Sequence, residues 1–183
     1  MSFTFPRVEP KKPGYSSDQV DAFIARAREQ FNNPETALVT ANDVRNTEFD
    51  LVHGGYEPEI VDGAMDKLED SFASREIQRQ KAEKGSYALD DRLARVVDLV
   101  RGRTERPKGQ RFSKSGWLLR GYSRKQVDAL CEHIERHLVS GAAITLSDVR
   151  RVVFNAKRGG YVEAQVDAFI DRVVEVLQIE QNR

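Results

Sequence analysis

The chain has 183 residues, enough for one or two small domains, and its 29 Lys plus Arg balance its 29 Asp plus Glu. That balance excludes a whole-chain field of the kind that draws nucleic acid or an anionic membrane. Charged residues at 32% and a mean hydropathy of −0.58 describe a soluble protein with much exposed helical surface. The single cysteine, Cys131, excludes an internal disulfide framework and fits a reducing compartment. Residues 1–7 lack an apolar core of signal-peptide length, and no apolar run is long enough to span a bilayer, so the expected location is the cytoplasm.

The first predicted element follows Gly14-Tyr15. Apolar residues at Val20, Phe23, Ile24, Ala27 and Phe31 fall on one face of a helix. Ser16 and Gln19 have the spacing of a capping box, and Tyr15 with Val20 occupy the two positions of a hydrophobic staple. Gly14 suits a positive φ at the turn into that helix. Thr40 and Asp43 then read as the cap of a short helix, which is too short to be stable alone and must dock through Val44 and Phe49. Gly55-Tyr56 repeats the joint with Pro58 at the first helical position. Val61, Ala64, Met65, Leu68 and Phe72 repeat the apolar offsets.

Helix periodicity continues through residues 74–84 to a break at Gly85-Ser86. Leu89, Leu93, Val96, Val97 and Val100 predict a further amphipathic helix, and residues 101–111 read as an exposed basic linker. Past it, Trp117-Leu118-Leu119-Arg120 leads into Gly121-Tyr122, with Ser123 and Gln126 as a second capping box. Val127, Leu130, Cys131, Ile134 and Leu138 give the third helix; Thr145 and Asp148 cap a second short helix ending near Phe154. Gly160-Tyr161 opens the fourth, with Val162 a weak cap and Val166, Phe169, Ile170, Val173 and Leu177 on its apolar face.

The pattern Gly-Tyr-x-x-x-x-Val-Asp therefore occurs four times: Gly14, Tyr15, Val20, Asp21; Gly55, Tyr56, Val61, Asp62; Gly121, Tyr122, Val127, Asp128; and Gly160, Tyr161, Val166, Asp167. The first and third copies share a Phe nine residues before the Gly (Phe5, Phe112), whereas the second and fourth share one six residues before it (Phe49, Phe154). This is an A-B-linker-A-B duplication. The predicted fold is all-α: tandem helical repeats as two A-B helix pairs, antiparallel or crossed, with a linker helix in a bundle-like arrangement. The predicted domains are 1–84, a linker helix and basic loop at 85–111, and 112–183.

No catalytic residue is predicted, because the chain holds no Gly-rich phosphate loop, nucleophile elbow or histidine-carboxylate spacing. Gly, Tyr and Val read as a structural helix-entry joint. Asp is a poor mid-helix residue, so the repeated Asp reads as accepting bonds from a neighbouring unit's loop. His133 and His137 have the spacing of metal ligands, but Cys131 sits where Ile24 and Ile170 stand in sister copies, and a solvated histidine face is the favoured reading. No metal and no cofactor are expected. Trp117, Leu119 and Arg120, with Arg158, are candidate membrane or partner contacts, since Trp and Leu beside Arg suit a bilayer interface. They suit burial against the fourth helix as well.

The segment from Ile144 to Leu177, with Thr145, Asp148-Val149, Phe154, Arg158-Gly159-Gly160-Tyr161, Val166-Asp167 and Phe169-Ile170, resembles the DivIVA N-terminal domain. The second copy resembles the same domain throughout; the first and third resemble its second half. The resemblance implies a bacterial scaffold of cell division or polar growth that dimerises and binds curved membrane. It also implies a long coiled coil, for which no sustained heptad pattern exists here, so tandem units pairing within one chain are expected instead. The family places an exposed Phe and then Arg before Gly-Tyr. Those positions hold Lys12-Pro13, His53-Gly54, Leu119-Arg120 and Arg158-Gly159. The resemblance implies a non-enzymatic protein-protein interaction module whose partner is division or cell-wall machinery or a DivIVA scaffold. A homo-oligomer and a membrane surface are further candidate partners; nucleic acid is not. The alternative is a peripheral membrane adaptor that binds anionic lipid through residues 117–120 and the basic linker. The resemblance places the protein in the cytoplasm, at the inner membrane face of septum or poles.

Overall fold

The computed structural model describes residues 4–33, 39–116 and 118–183. Among these, six helices are present: α1 (Ser17–Asn32), α2 (Ala41–Arg45), α3 (Pro58–Thr104), α4 (Arg124–Ser140), α5 (Leu146–Arg150) and α6 (Glu163–Asn182). Four strands of three residues each, β1 (Pro13–Tyr15), β2 (Leu51–His53), β3 (Arg120–Tyr122) and β4 (Ala156–Arg158), form two antiparallel pairs, β1-β2 and β3-β4. The helical class holds, and the strand pairs correct the all-α expectation. Three-residue strands inside Gly-rich loops carry no period-2 alternation, and their partners lie far along the chain, so the sequence hides them. The chain divides into compact units Met1–Glu76 and Ile77–Arg183.

In the first unit, α1 and the opening turns of α3 run in the same direction, which corrects the antiparallel pairing expected. Tyr15 and Tyr56 are bridged at the N-terminal ends, while the rings of Phe31 and Phe72 meet edge-on at 6.2 Å further along both helices. A parallel pair needs a return connection. Its described part is residues 39–57, which include α2, whose capping box is closed by Thr40 and Asp43. Thr40 Oγ1 accepts from the Asp43 amide at 3.2 Å, and the Asp43 carboxylate accepts from the Thr40 amide at 2.8 Å. The Thr40 hydroxyl, which donates to the Asp43 carboxylate at 2.7 Å, and then the Thr40 amide hold that carboxyl below its usual range. Arg45 pairs with the buried Glu69, and Glu76 accepts from the Ala41 amide at 3.0 Å, so α2 lies along the later turns of this helix. The core joins Val20, Phe23 and Ala27 to Val61, Met65 and Phe72, with Val39, Ala41 and Val44 from the return.

The second unit repeats that plan and adds a helix. α4 and α6 are the parallel pair, and α5, with its Thr145-Asp148 capping box, is the return element. At Gly85 the backbone leaves the helix (φ 80°, ψ 167°), so the expected break is real, and residues 86–104 form the predicted amphipathic helix. It is no mere connector: Leu89, Leu93, Val96 and Val100 are buried in the same core as Val173, Val174, Val176, Leu177 and Ile179. Arg92 bonds Glu175 at 2.7 Å and Asp90 pairs with Arg183 at 2.9 Å, while Arg103 reaches the Arg111 carbonyl and sits over the Phe112 ring. The helix therefore runs antiparallel to α6. Arg111, expected in an exposed linker, is only 4% exposed and belongs to the core around the repeat motif.

His133 and His137 serve the α4–α5 turn. His133 Nε2 lies 3.1 Å from the Ala143 carbonyl. His137 Nδ1 lies 2.8 Å from the Ala142 carbonyl, and its Nε2 lies 2.9 Å from Glu180. With an acceptor at each nitrogen, His137 fits as the imidazolium. Burial favours the neutral ring, but the bonds to Glu180 and Ala142 outweigh it and raise the pKa above the usual 6.5. A raised folded pKa makes this contribution complete below about 6.5 and lost as pH rises through the higher folded value. Urea unfolding across that window should show stability falling with pH, and His137→Gln should flatten the fall.

Candidate functional site

The motif copies meet in pairs, A with B, where the two chain segments of each unit cross. Tyr15 and Tyr56 exchange both backbone bonds, N–H to carbonyl, each at 2.8 Å; Tyr122 and Tyr161 do so at 3.0 and 2.8 Å. The crossing explains the glycines. A Cβ on Gly14 would stand 2.6 Å from the Tyr56 carbonyl oxygen, and one on Gly160 would stand 2.5 Å from the Gly121 carbonyl carbon. Gly55 and Gly121 face the same obstruction. None of the four has a positive φ, which corrects the expectation; Gly54 and Gly159, one residue earlier in the B copies, adopt φ of 67° and 61° instead.

Side chains then exchange across the crossing. The Tyr56 hydroxyl donates to Asp21 at 3.1 Å, and the Tyr161 hydroxyl donates to Asp128 at 2.9 Å. Tyr15 and Tyr122 face Asp62 and Asp167 in return, near enough for each carboxylate to add to burial in raising the phenol's pKa. Each Asp thus faces the tyrosine of the other copy, and two of the four accept its hydroxyl outright. The preceding phenylalanines exchange too: Phe5 packs on Tyr56 (5.4 Å) and Phe49 on Tyr15 (5.6 Å), as Phe112 does on Tyr161 (5.3 Å) and Phe154 on Tyr122 (5.1 Å). All four motif valines are fully buried beneath.

Glutamine completes the exchange, a role that capping-box logic conceals. Ser16 and Ser123 are N-caps without a side-chain cap bond. Gln19 instead accepts from the Asp50 amide at 2.8 Å, Gln126 from Asn155 at 2.8 Å, and Gln165 from Ser113 at 2.9 Å. Each amide belongs to the residue after the partner copy's Phe. In the remaining case that residue is Pro6, which has no N–H, and the glutamine position holds Ile60. The sequence carries this signal, legible only once the crossing is known.

The second unit buries more of its crossing. Asp128 accepts from Tyr161 and also from the Gly109 amide at 2.8 Å, while Arg111 donates to the Asp128 carbonyl at 2.6 Å. Burial pushes Tyr161 up to about 12, with the Asp128 bond adding to it, and burial does the same for Cys131. Burial and the facing carboxylates also raise the other three tyrosines, and burial raises Asp167. Such phenols are donors at neutral pH, and such a thiol is inert. The crossing is a clasp of tyrosine hydroxyls facing carboxylates.

Of the candidate contact residues, Trp117 lies outside the described residues. Leu118 and Leu119 are 66% and 65% exposed, which excludes their burial against α6. Arg120 stands directly opposite Arg158 in the β3-β4 pair, and both are exposed. No helix among the described residues is long and apolar enough to cross a membrane. Comparison with family models, curated proteins and solved structures finds no match.

Gly14→Ala must force the crossing apart, because the obstructing atoms are backbone; the expected loss is about 3 kcal/mol or more. Gly102 in α3 meets nothing within 4 Å, so Gly102→Ala should stabilise by about 0.5–1 kcal/mol. Denaturant titration of both variants checks this change of sign. Tyr161→Phe should cost about 1–3 kcal/mol by leaving a buried Asp128 oxygen unpaired. A loss no larger than that of Tyr15→Phe, at the half-buried copy, would contradict the buried clasp.

Proposed function

We propose that the chain is a non-enzymatic protein-protein interaction module, built of tandem DivIVA-like units, that acts in bacterial cell division or polar growth. The observation that carries this reading is the reciprocal clasp. Each unit closes an A copy on a B copy in parallel, so two motif copies that would meet by dimerisation are already joined in one chain. What remains for chemistry is surface. Leu51 and Val52 on β2, at 62% and 41% exposure, offer apolar side chains beside a strand edge that pairs with no further strand among the described residues, a surface that suits a protein partner. The partner in this reading is a division or cell-wall-synthesis protein or a DivIVA scaffold.

A second reading, a peripheral membrane adaptor, is favoured by one observation: exposed Leu118 and Leu119 stand next to Arg120 and Arg158. A fluorescent fusion should gather at septum or poles, and the purified chain should bind a purified DivIVA scaffold. Diffuse fluorescence with no scaffold binding would refute the first reading. Co-sedimentation with anionic vesicles that disappears in Leu119→Ser/Arg120→Ser would establish the second.

A further inference from the structure

We propose that a groove at the N-terminal end of α4 is a binding site for a phosphate group. The groove encloses about 590 Å³ within the second unit, and its lining includes Lys108, Ser123, Arg124, Lys125, Lys157 and Arg158. Two carboxylates also line it, and both are engaged. Asp128 accepts from Tyr161 and Gly109, and Glu132 pairs with Lys108 at 2.7 Å. Arg124, Lys125, Lys157 and Arg158 have no ion pair or side-chain hydrogen bond among the described residues. Four unneutralised cations about one concavity repel each other, and the Arg120–Arg158 pair adds like charges directly opposed across two strands. An anion with several oxygens relieves both.

Ser123 supplies an independent pointer. It is 6% exposed and caps α4, yet its hydroxyl makes no cap bond and has no hydrogen-bond partner among the described residues. It is absent from the fully enclosed orphan atoms, so the hydroxyl opens into the groove it lines. A buried hydroxyl at a helix N-terminus, with no acidic residue in the first turn, is a donor set that suits phosphate.

The cations are not demanded by the fold. The first unit builds the same crossing with Ser17, Asp18, Val52 and His53 at the positions of Arg124, Lys125, Lys157 and Arg158. It therefore serves as an internal control. The phosphate could be carried by a soluble phosphorylated molecule or by a phosphomonoester lipid headgroup, which present the same oxygens. The proposal does not rest on the scaffold reading, and failure of either leaves the other standing.

The experiment titrates the full chain with inorganic phosphate and then pyrophosphate at constant ionic strength, following backbone amides by NMR. Saturable shifts at Gly109, Arg124 and Lys125, with pyrophosphate binding tighter, are expected. Lys125→Gln/Arg158→Gln and, separately, Arg124→Gln/Lys157→Gln should each weaken binding by roughly tenfold or more. A thermal melt of each pair confirms that it folds. Vesicles of phosphatidylcholine with and without phosphatidic acid separate the sources. Binding competed by pyrophosphate identifies a lipid headgroup; pyrophosphate binding without vesicle binding identifies a soluble ligand. Absence of a saturable shift, equal shifts at Ser17 and Asp18, or indifference to both double variants would overturn the proposal.

Discussion

The structure depends on a close crossing of two backbones that only glycine permits. Once Gly14 meets Gly55, or Gly121 meets Gly160, the adjoining tyrosines exchange amide bonds. Their rings then project toward the other copy's helix, where an Asp follows the buried Val. Apolar burial beneath the crossing supplies most of the stabilisation, at about 25 cal/mol per Å² of apolar surface. The hydroxyl-carboxylate bonds fix which residues face each other. Each tyrosine is committed to the opposite helix, so neither helix of a pair can be placed without the other.

The two units express this constraint differently. In the first, the clasp is partly open to solvent and Arg7 lies over Tyr56 at 5.1 Å. In the second, residues 86–111 pass over it, bringing Gly109 and Arg111 to Asp128 and burying that carboxylate. A buried carboxylate needs partners, and here a phenol and an amide bond its oxygens while the Arg111 guanidinium stands 3.9 Å away. The added helix 86–104 also covers a face of α6 through Val174, Val176 and Ile179, where the opening turns of α3 carry Glu69, Ser71 and Ser74 instead. The segment that looked like a spacer is what makes the second unit larger.

Much of this was legible in the sequence because it was repeated. Four aligned apolar stripes fixed the repeat helices, and the Thr40-Asp43 and Thr145-Asp148 spacing fixed the two short ones. The break at Gly85 was marked by its own glycine. The repeated Asp invited a partner from another loop, and the tyrosines are that partner. Helix direction was hidden, since an amphipathic stripe packs equally well on a parallel or an antiparallel neighbour. The strand pairs were hidden by shortness and by the distance between partners. Ser16 and Gln19 fit the local geometry of a capping box, yet a long-range amide claimed the glutamine. Local rules describe what a side chain can reach within its own turn, and this fold is built from reaches between copies.

The exchange of Gln for Ile60 opposite Pro6 bears on how a chain with four interchangeable copies sorts them. Pairing the first A copy with the second B copy would set Gln165 against Pro6, which offers no N–H. Pairing the second A copy with the first B copy would set the Ser113 amide against Ile60, which offers no acceptor. The two swapped pairings together forfeit the single bond between the Ser113 amide and Gln165, worth about 0.5–1.5 kcal/mol, while both correct pairings keep every bond their residues can make. Proline and isoleucine at this one contact thus act as a small sorting key against swapped assembly during folding, a hazard that repeats in one chain otherwise invite.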